Sequence, residues 1–268
     1  MKISKIGYIF IILGMTIVLG YLGFSIWSFS NKDKDIICVD LNIYFIDKEK
    51  IELISETEIA KILESHGLNP IGKTYKRIRT ESIENELLKN PMIKKVECYK
   101  TPSGTLCLEV QQRSPKFIIA GNESYYVDTD RKFLPISLNY SVYVPVVSGR
   151  VTKSMATGVI YDFVSYLEEN PFWNAQIEQI YIREDMNVEL IPRVGDAVIM
   201  LGKLNNFAVK LDNLHKLYTQ GFNVMGWNRY EKIDLQYENQ IVCTKKGKHT
   251  KPKVEIVENN DSSVVKKL

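Results

Sequence analysis

IENELLKNPMIKKVECYKTPSGTLCLEVQQRSP, residues 83–115, changes its hydrophobic period once, from helix to strand. The first part belongs to a helix from about Thr80 to Lys89, which puts Ile83 and Leu87 on one face. Asn90-Pro91 stops it, because the residue before a proline is pushed out of the helical region. The period then drops to two. Val96 and Cys98 form one apolar set and Leu106, Leu108 and Val110 another, with Pro102-Ser103-Gly104 turning between them. Matching the apolar faces places Cys98 opposite Leu106, across an odd-numbered loop in which Gly104 supplies the left-handed residue. Cys98 then points inward and Cys107 outward, so no Cys98–Cys107 bond is expected.

The same economy holds upstream. Ile37, Val39, Leu41, Ile43 and Phe45 alternate as a half-buried strand. Ser55-Glu56-Thr57-Glu58 reads as a capping box, Ser55 at N-cap and Glu58 at N3. Ile59, Ile62 and Leu63 follow at helical spacing, and Gly67 ends that helix. Residues 36–113 therefore read β-α-(turn)-α-β-β: two short helices covering a three-stranded sheet, neither persistent without that packing.

Downstream the pattern is richer in strands. Lys116–Ala120 and Ser124–Val127 suggest a hairpin around Gly121-Asn122, and Val144–Val147 a further strand. Ser154 is read as capping a helix with Ile160, Phe163, Val164 and Leu167 on one face, closed by Asn170-Pro171. Ile177–Ile182, Asn187–Ile191 and Ala197–Leu201 form a strand series with turns at Asp185-Met186 and Val194-Gly195. Asn206 is read as capping a helix that carries Phe207, Leu211, Leu214 and Tyr218 and ends at Gly221. A long final strand, about Lys232 to Thr244, turns Ile233, Leu235, Tyr237 and Ile241 to one side and Gln236, Glu238 and Gln240 to the other. The Lys-rich stretch 245–268 lacks aromatics and is expected to be disordered.

One further segment bears on location. Ile6 to Phe29 contains no charged residue. As a helix it measures about 36 Å, enough to cross a hydrocarbon core. Residues 1–5, with Lys2 and Lys5, then stay in the cytoplasm, 30–35 form a linker, and everything after lies outside. A cleaved signal peptide is the competing reading. The run is longer than an h-region of about 7–15 residues, and Ser25-Ile26-Trp27-Ser28-Phe29-Ser30 is a poor cleavage site.

Composition and motifs narrow the function. A net charge of +3 and the absence of a basic stripe argue against nucleic acid. Cys38, Cys98, Cys107 and Cys243 are spaced wrongly for a zinc site. His66, His215 and His249 fall in no catalytic motif, and no P-loop, H-E-x-x-H or G-x-S-x-G occurs. Asp128-Thr129-Asp130 reads as a turn, where Asp bonds nearby backbone, rather than as a carboxylate pair. We expect no catalytic residue, no metal site and no cofactor.

The order of these features carries a resemblance. Ile83-Glu84-x-x-Leu87, Asn90-Pro91-x-Ile93, Val96-x-Cys98 and Leu106-x-Leu108-x-Val110-x-x-Arg113-x-Pro115 resemble the POTRA domain of the FtsQ/DivIB cell-division family, in a Bacteroidetes-like version. Tyr126-Val127-Asp128, Leu134-Pro135 and Val146-Val147-Ser148-Gly149 resemble the opening of that family's β domain, and Ile233-Asp234-Leu235-Gln236-Tyr237 its closing strand. Three positions depart from the pattern: Arg131 where glycine is common after the turn, Gln236 for the common arginine, and Cys98 for a small apolar residue.

The resemblance implies an α+β fold: one transmembrane helix, a POTRA domain over 36–115, and a mainly antiparallel β domain over 116–244 with two or three helices. It implies a non-enzymatic divisome scaffold at the septum that regulates septal peptidoglycan synthesis. FtsB-like and FtsL-like partners would add a strand to the terminal edge, with Leu235, Gln236, Tyr237, Glu238, Asn239 and Gln240 as contact residues. Other divisome components would use the POTRA domain. On this reading Gln236→Pro abolishes partner capture and leaves the POTRA unit folded. Two alternatives stay open: a POTRA-bearing secretion or outer-membrane assembly component, for which no barrel-length alternation is present, and an anchored hydrolase with an unrecognised site.

Overall fold

The structure, a computed structural model, describes residues 5–32, 36–46, 53–136, 142–222, 226, 229–238 and 240–247. The chain divides into two compact units, Met1–Val144 and Pro145–Leu268.

The first unit opens with helix α1, Lys5–Lys32, which continues into what the sequence suggested was linker. Side chains on it are described for 13–28, a length of about 24 Å. Large apolar groups there, among them Leu13, Ile17, Leu19, Phe24 and Trp27, are exposed. Among the described residues no helix is long and apolar enough to cross a membrane.

The body of this unit contains β1 (Asp40–Phe45), α2 (Glu56–Ser65), α3 (Thr80–Leu87), β2 (Ile93–Lys100) and β3 (Thr105–Gln112). The sheet order is β1-β3-β2, with β1 parallel and β2 antiparallel to β3. Ile59 and Leu63 of α2 and Ile83 and Leu87 of α3 close over Val96, Leu106, Leu108 and Val110. The capping box forms as expected: Ser55 Oγ accepts from the Glu58 amide, and the Glu58 carboxylate accepts from the Ser55 amide at 2.9 Å.

Two expectations need correction. The alternation from Ile37 is not one strand. Cys38 is buried while Ile37 and Val39 are exposed, because Cys38 donates its amide to Lys73 O and accepts from Gly72, both outside the sheet. The hairpin register is also shifted by two residues, with a longer connection than expected: Cys98 faces Leu108 rather than Leu106, and Cys107 faces Tyr99. The odd parity survives, so the two cysteines sit on opposite faces, but Cys107, expected to point outward, is buried, and Cys98, expected inward, is half-buried. All four cysteines are free.

A meander follows, β4 (Pro115–Ala120), β5 (Tyr125–Asp128) and β6 (Phe133–Pro135), paired antiparallel in that order. It is joined to the α/β body at a shared cluster of Leu53, Met92, Tyr126 and Leu134. Beside it Gln112 Oε1 accepts from the amides of Leu53 (2.7 Å) and Ile54 (3.1 Å). Arg113 Nη1 donates to Asp128 Oδ2 at 2.9 Å, and Asp128 Oδ1 accepts from the amides of Asp130 and Lys132. Arg131 takes φ 60° in this turn, so the left-handed geometry is kept without a glycine.

The second unit contains β7 (Val146–Gly149), α4 (Lys153–Thr157), α5 (Val159–Glu169), α6 (Pro171–Gln176), β8 (Ile177–Ile182), β9 (Val188–Pro192), β10 (Val198–Gly202), α7 (Phe207–Lys216), β11 (Tyr230–Asp234) and β12 (Val242–Lys245). The strands run in the order β7-β8-β9-β10-β11-β12. This part is mixed: three of its five strand pairs are antiparallel, but β7 pairs parallel with β8 and β10 with β11. A parallel neighbour requires a crossover. Helices α4–α6 supply the first and α7 the second, which is why this unit holds more helix than expected.

Its helix boundaries also move. Thr152, not Ser154, is the cap, accepting from the Met155 amide at 3.2 Å, and Gly158 breaks the helix in two. Asn170 both ends α5 and caps α6 through the amides of Phe172 and Trp173. Asn206 stands at φ 50° and makes no side-chain cap bond. The disordered tail expected for 245–268 falls, from residue 248 on, outside the described residues.

Candidate strand-addition edge

The expected long final strand is two strands. β11 leaves β10 in parallel register, Val198 to Lys232 through Met200 to Asp234, and Leu235 still donates its amide to Met200 O at 2.9 Å. There the chain turns. Asp234 Oδ1 accepts from the Gln236 amide at 3.1 Å, a side-chain bond that replaces a ladder bond and starts a turn. The Gln236 side chain lies against Gly202, where an added Cβ would approach its Cγ to 2.8 Å. The chain then returns as β12, antiparallel to β11, with Ile233 opposite Cys243 and Asp234 opposite Val242.

The five described residues among the six singled out from the sequence, Leu235–Glu238 and Gln240, therefore occupy a connection, not a strand. Leu235 is buried and belongs to the core. Gln236, Glu238 and Gln240 are exposed. Tyr237, expected on the packed side, is 54% exposed. Asn239 lies outside the described residues. Leu235, Gln236, Tyr237, Glu238 and Gln240 instead form one wall of a cleft of about 370 Å³, whose other wall is Asn206, Val209, Lys210 and Asn213 on and before α7. Lys210 reaches back to Leu201 O and Lys203 O, each at 3.0 Å, and burial lowers its pKa.

Among the described residues the sheet edge itself belongs to β12, which has β11 as its neighbour and stands last in the strand order. Lys246 donates its amide to Arg229 O at 2.9 Å. Strand alternation then turns the amides of Cys243 and Lys245 toward the open side. The end of the strand is pinned by Lys246 Nζ on Asp196, whose carboxyl this contact holds below its usual range. Burial raises the Cys243 thiol pKa. Behind the edge an aromatic series, Trp173, Tyr218, Phe222 and Tyr230, connects α6, the π turn after α7 and β11. Burial pushes the Tyr218 hydroxyl up to about 12.

Sequence reading missed Cys243 and Lys245 as edge positions and Val209 and Asn213 as cleft residues. One signal pointed there: in Ile241-Val242-Cys243-Thr244 three of four residues are β-branched, and the run follows the mostly polar Gln236–Gln240.

The chemistry available at this edge is main-chain hydrogen bonding to an extended segment, with the cleft for an accompanying side chain or helix. Among the described residues no cluster of three metal-ligating side chains occurs. His66 Nε2 contacts Glu86 at 3.2 Å at the end of α2, and His215 packs its ring on Phe172.

Comparison with known proteins gives three matches. Residues 36–111 match a POTRA-like domain model, and residues 115–244 match a model described as FtsQ/DivIB, C-terminal related. The chain is 24% identical over 215 residues to the cell division protein FtsQ of Geotalea daltonii, covering 75% of this chain and 76% of that protein.

Proposed function

We propose, for a chain that belongs to the FtsQ/DivIB family of cell-division proteins, the role of a membrane-anchored divisome scaffold that works by contact rather than catalysis. In this reading α1 spans the membrane with its N-terminus in the cytoplasm. The uncharged run Ile6–Phe29 and the exposure of apolar groups along the described part of the helix support it. The POTRA-like and C-terminal parts then lie outside the cytoplasm, the former open to other division proteins.

Partner capture is the core of the proposal. An FtsB-like segment, with an FtsL-like companion, adds a strand to β12 and so couples this protein to the control of septal peptidoglycan synthesis. The observation that carries it is the open side of β12, a row of main-chain donors and acceptors at the end of a sheet. Gln236, Tyr237, Glu238 and Gln240 supply side-chain contacts from the connecting loop, Asn239 lies between them in sequence, and Leu235 anchors the loop from beneath.

The test is Cys243→Pro in the full chain. Proline is tolerated on an edge strand where its missing N–H faced outward, so the fold survives while the outward donor is lost. Pull-down of the FtsB-like partner should fall at least tenfold, with circular dichroism unchanged. Unaltered capture by a folded variant rules out strand addition at β12.

A further inference from the structure

The end of the POTRA-like unit nearest α1 has a surface that the partner-binding role does not use. Three chain segments meet there. Residues 36–39 bond to 72–75 through Cys38 N to Lys73 O, Gly72 N to Cys38 O and Tyr75 N to Ile36 O, each at 2.8–2.9 Å. The β2–β3 turn joins them through Val39 N to Gly104 O at 2.8 Å. Gly104 has φ +90°, and a Cβ on it would stand 3.0 Å from Ile37 O, so the turn lies tight against the entering chain.

This end displays apolar side chains. Cys38 points into the core, which turns its neighbours Ile37 and Val39 together to the outside. They are 52% and 66% exposed, and Ile71, one residue before Gly72, is 53% exposed. Cations stand beside them. Lys73 directs its Nζ to Gly67 O, a neutral partner, and Lys76 and Arg77 are exposed on the short 3-10 turn Tyr75–Arg77. Among the described residues of the entering segment Asp40 is the acid, and it bonds the amide of Leu41; upstream, Asp33 and Asp35 alternate in sequence with Lys32 and Lys34.

The covalent chain says what covers this surface. Four Cα steps separate Lys32, the last residue of α1, from Ile36, a reach of at most about 15 Å. With α1 spanning a bilayer, Ile37 and Val39 cannot leave the neighbourhood of the headgroup layer. An apolar tip ringed by cations and held at that distance matches an anionic phospholipid surface. We propose that Ile37, Val39 and Ile71 insert among the headgroups of the adjoining leaflet, with Lys73, Lys76 and Arg77 on lipid phosphates. This fixes the pose of the unit on the membrane, and it rests on the reading that α1 crosses it.

The experiment reconstitutes the full chain carrying Val39→Trp into vesicles of phosphatidylcholine with phosphatidylglycerol, with or without brominated acyl chains. The added fluorescence over the parent chain should lose roughly half its intensity to bromine, as expected for a side chain in the interface. Val194→Trp, at an exposed site in the second unit, should lose none. Lys76→Glu with Arg77→Glu should lower the docking equilibrium constant reported by the Val39→Trp quench by at least about fivefold per cation lost, and pure phosphatidylcholine should lower it likewise. If alkaline carbonate strips the chain from the vesicles, α1 does not span and both readings fall. If the chain is retained but Val39→Trp is not quenched, the lipid contact alone is wrong.

Discussion

Asp128→Ala should detach the meander from the α/β body of the first unit. Asp128 is fully buried at the end of β5. Its Oδ2 receives Arg113 Nη1 at 2.9 Å, while Oδ1 receives the amides of Asp130 at 2.9 Å and Lys132 at 2.7 Å. Removing the carboxylate strands a guanidinium and two turn amides at once. Breaking a buried pair costs about 3–5 kcal/mol. Arg113 is partly exposed and can turn to Asp130, already 3.5 Å away. That relief brings the expectation to about 3 kcal/mol, or roughly a 150-fold change in an opening constant. Asp128→Asn keeps Oδ1 for both amides and loses the charge, so its cost should be about 1–2 kcal/mol. The readout is hydrogen exchange in peptides covering 115–136 of the full chain, since two units make a single melting temperature ambiguous. Exchange in Asp128→Ala within threefold of the parent would refute the reasoning, as would equal effects from the Ala and Asn variants.

Two further outcomes follow from local chemistry. Burial, reinforced by the Glu84 carboxylate, pushes the Cys98 thiol from 9.0 up to about 12. Between those values the unfolded chain has lost a proton that the folded chain keeps, so stability should fall as pH rises above about 9. Native Cys98 should resist alkylation at pH 8, read by mass spectrometry of its peptide; labelling at the rate of a free thiol would contradict this. Gly149→Ala should destabilise the second unit by more than about 2 kcal/mol, because φ is +92° and a Cβ would collide with Ile182 O. An unchanged protease-resistance profile over 146–182 would contradict it.

What the sequence made legible was local or set by period. The Ser55 capping box, the stripes on α2, α3 and α5, and the inward set of β3 depend on neighbours three, four or two residues away, and all appear in the structure. Hairpin parity was readable for the same reason. Its register was not, because sliding the strands by two leaves every side chain on its own face. Thr101 makes that choice. Its amide donates to Thr105 O at 3.0 Å, and its hydroxyl accepts from the Thr105 amide at 3.2 Å, which centres the turn on Ser103, one residue later than face-matching suggested. The phase change at Cys38 has a similar origin, a main-chain bond to residues more than thirty positions away.

The terminal segment shows how a correct pattern can support the wrong edge. Ile233, Leu235, Tyr237 and Ile241 keep strand parity, but parity continues unbroken through a loop of suitable length. The decision lies with Asp234, which takes the Gln236 amide and ends β11, and with Gly202, which admits the Gln236 side chain. The proposed strand addition is therefore tested at β12 and not at the loop. Gln236→Pro removes a donor already spent inside the turn and should alter loop shape more than edge pairing. Cys243→Pro removes a donor from the open side of β12. Loss of capture in the second variant with retention in the first would place the partner on the edge. The reverse pattern would place it on the loop and the α7 cleft, with the strand edge left free.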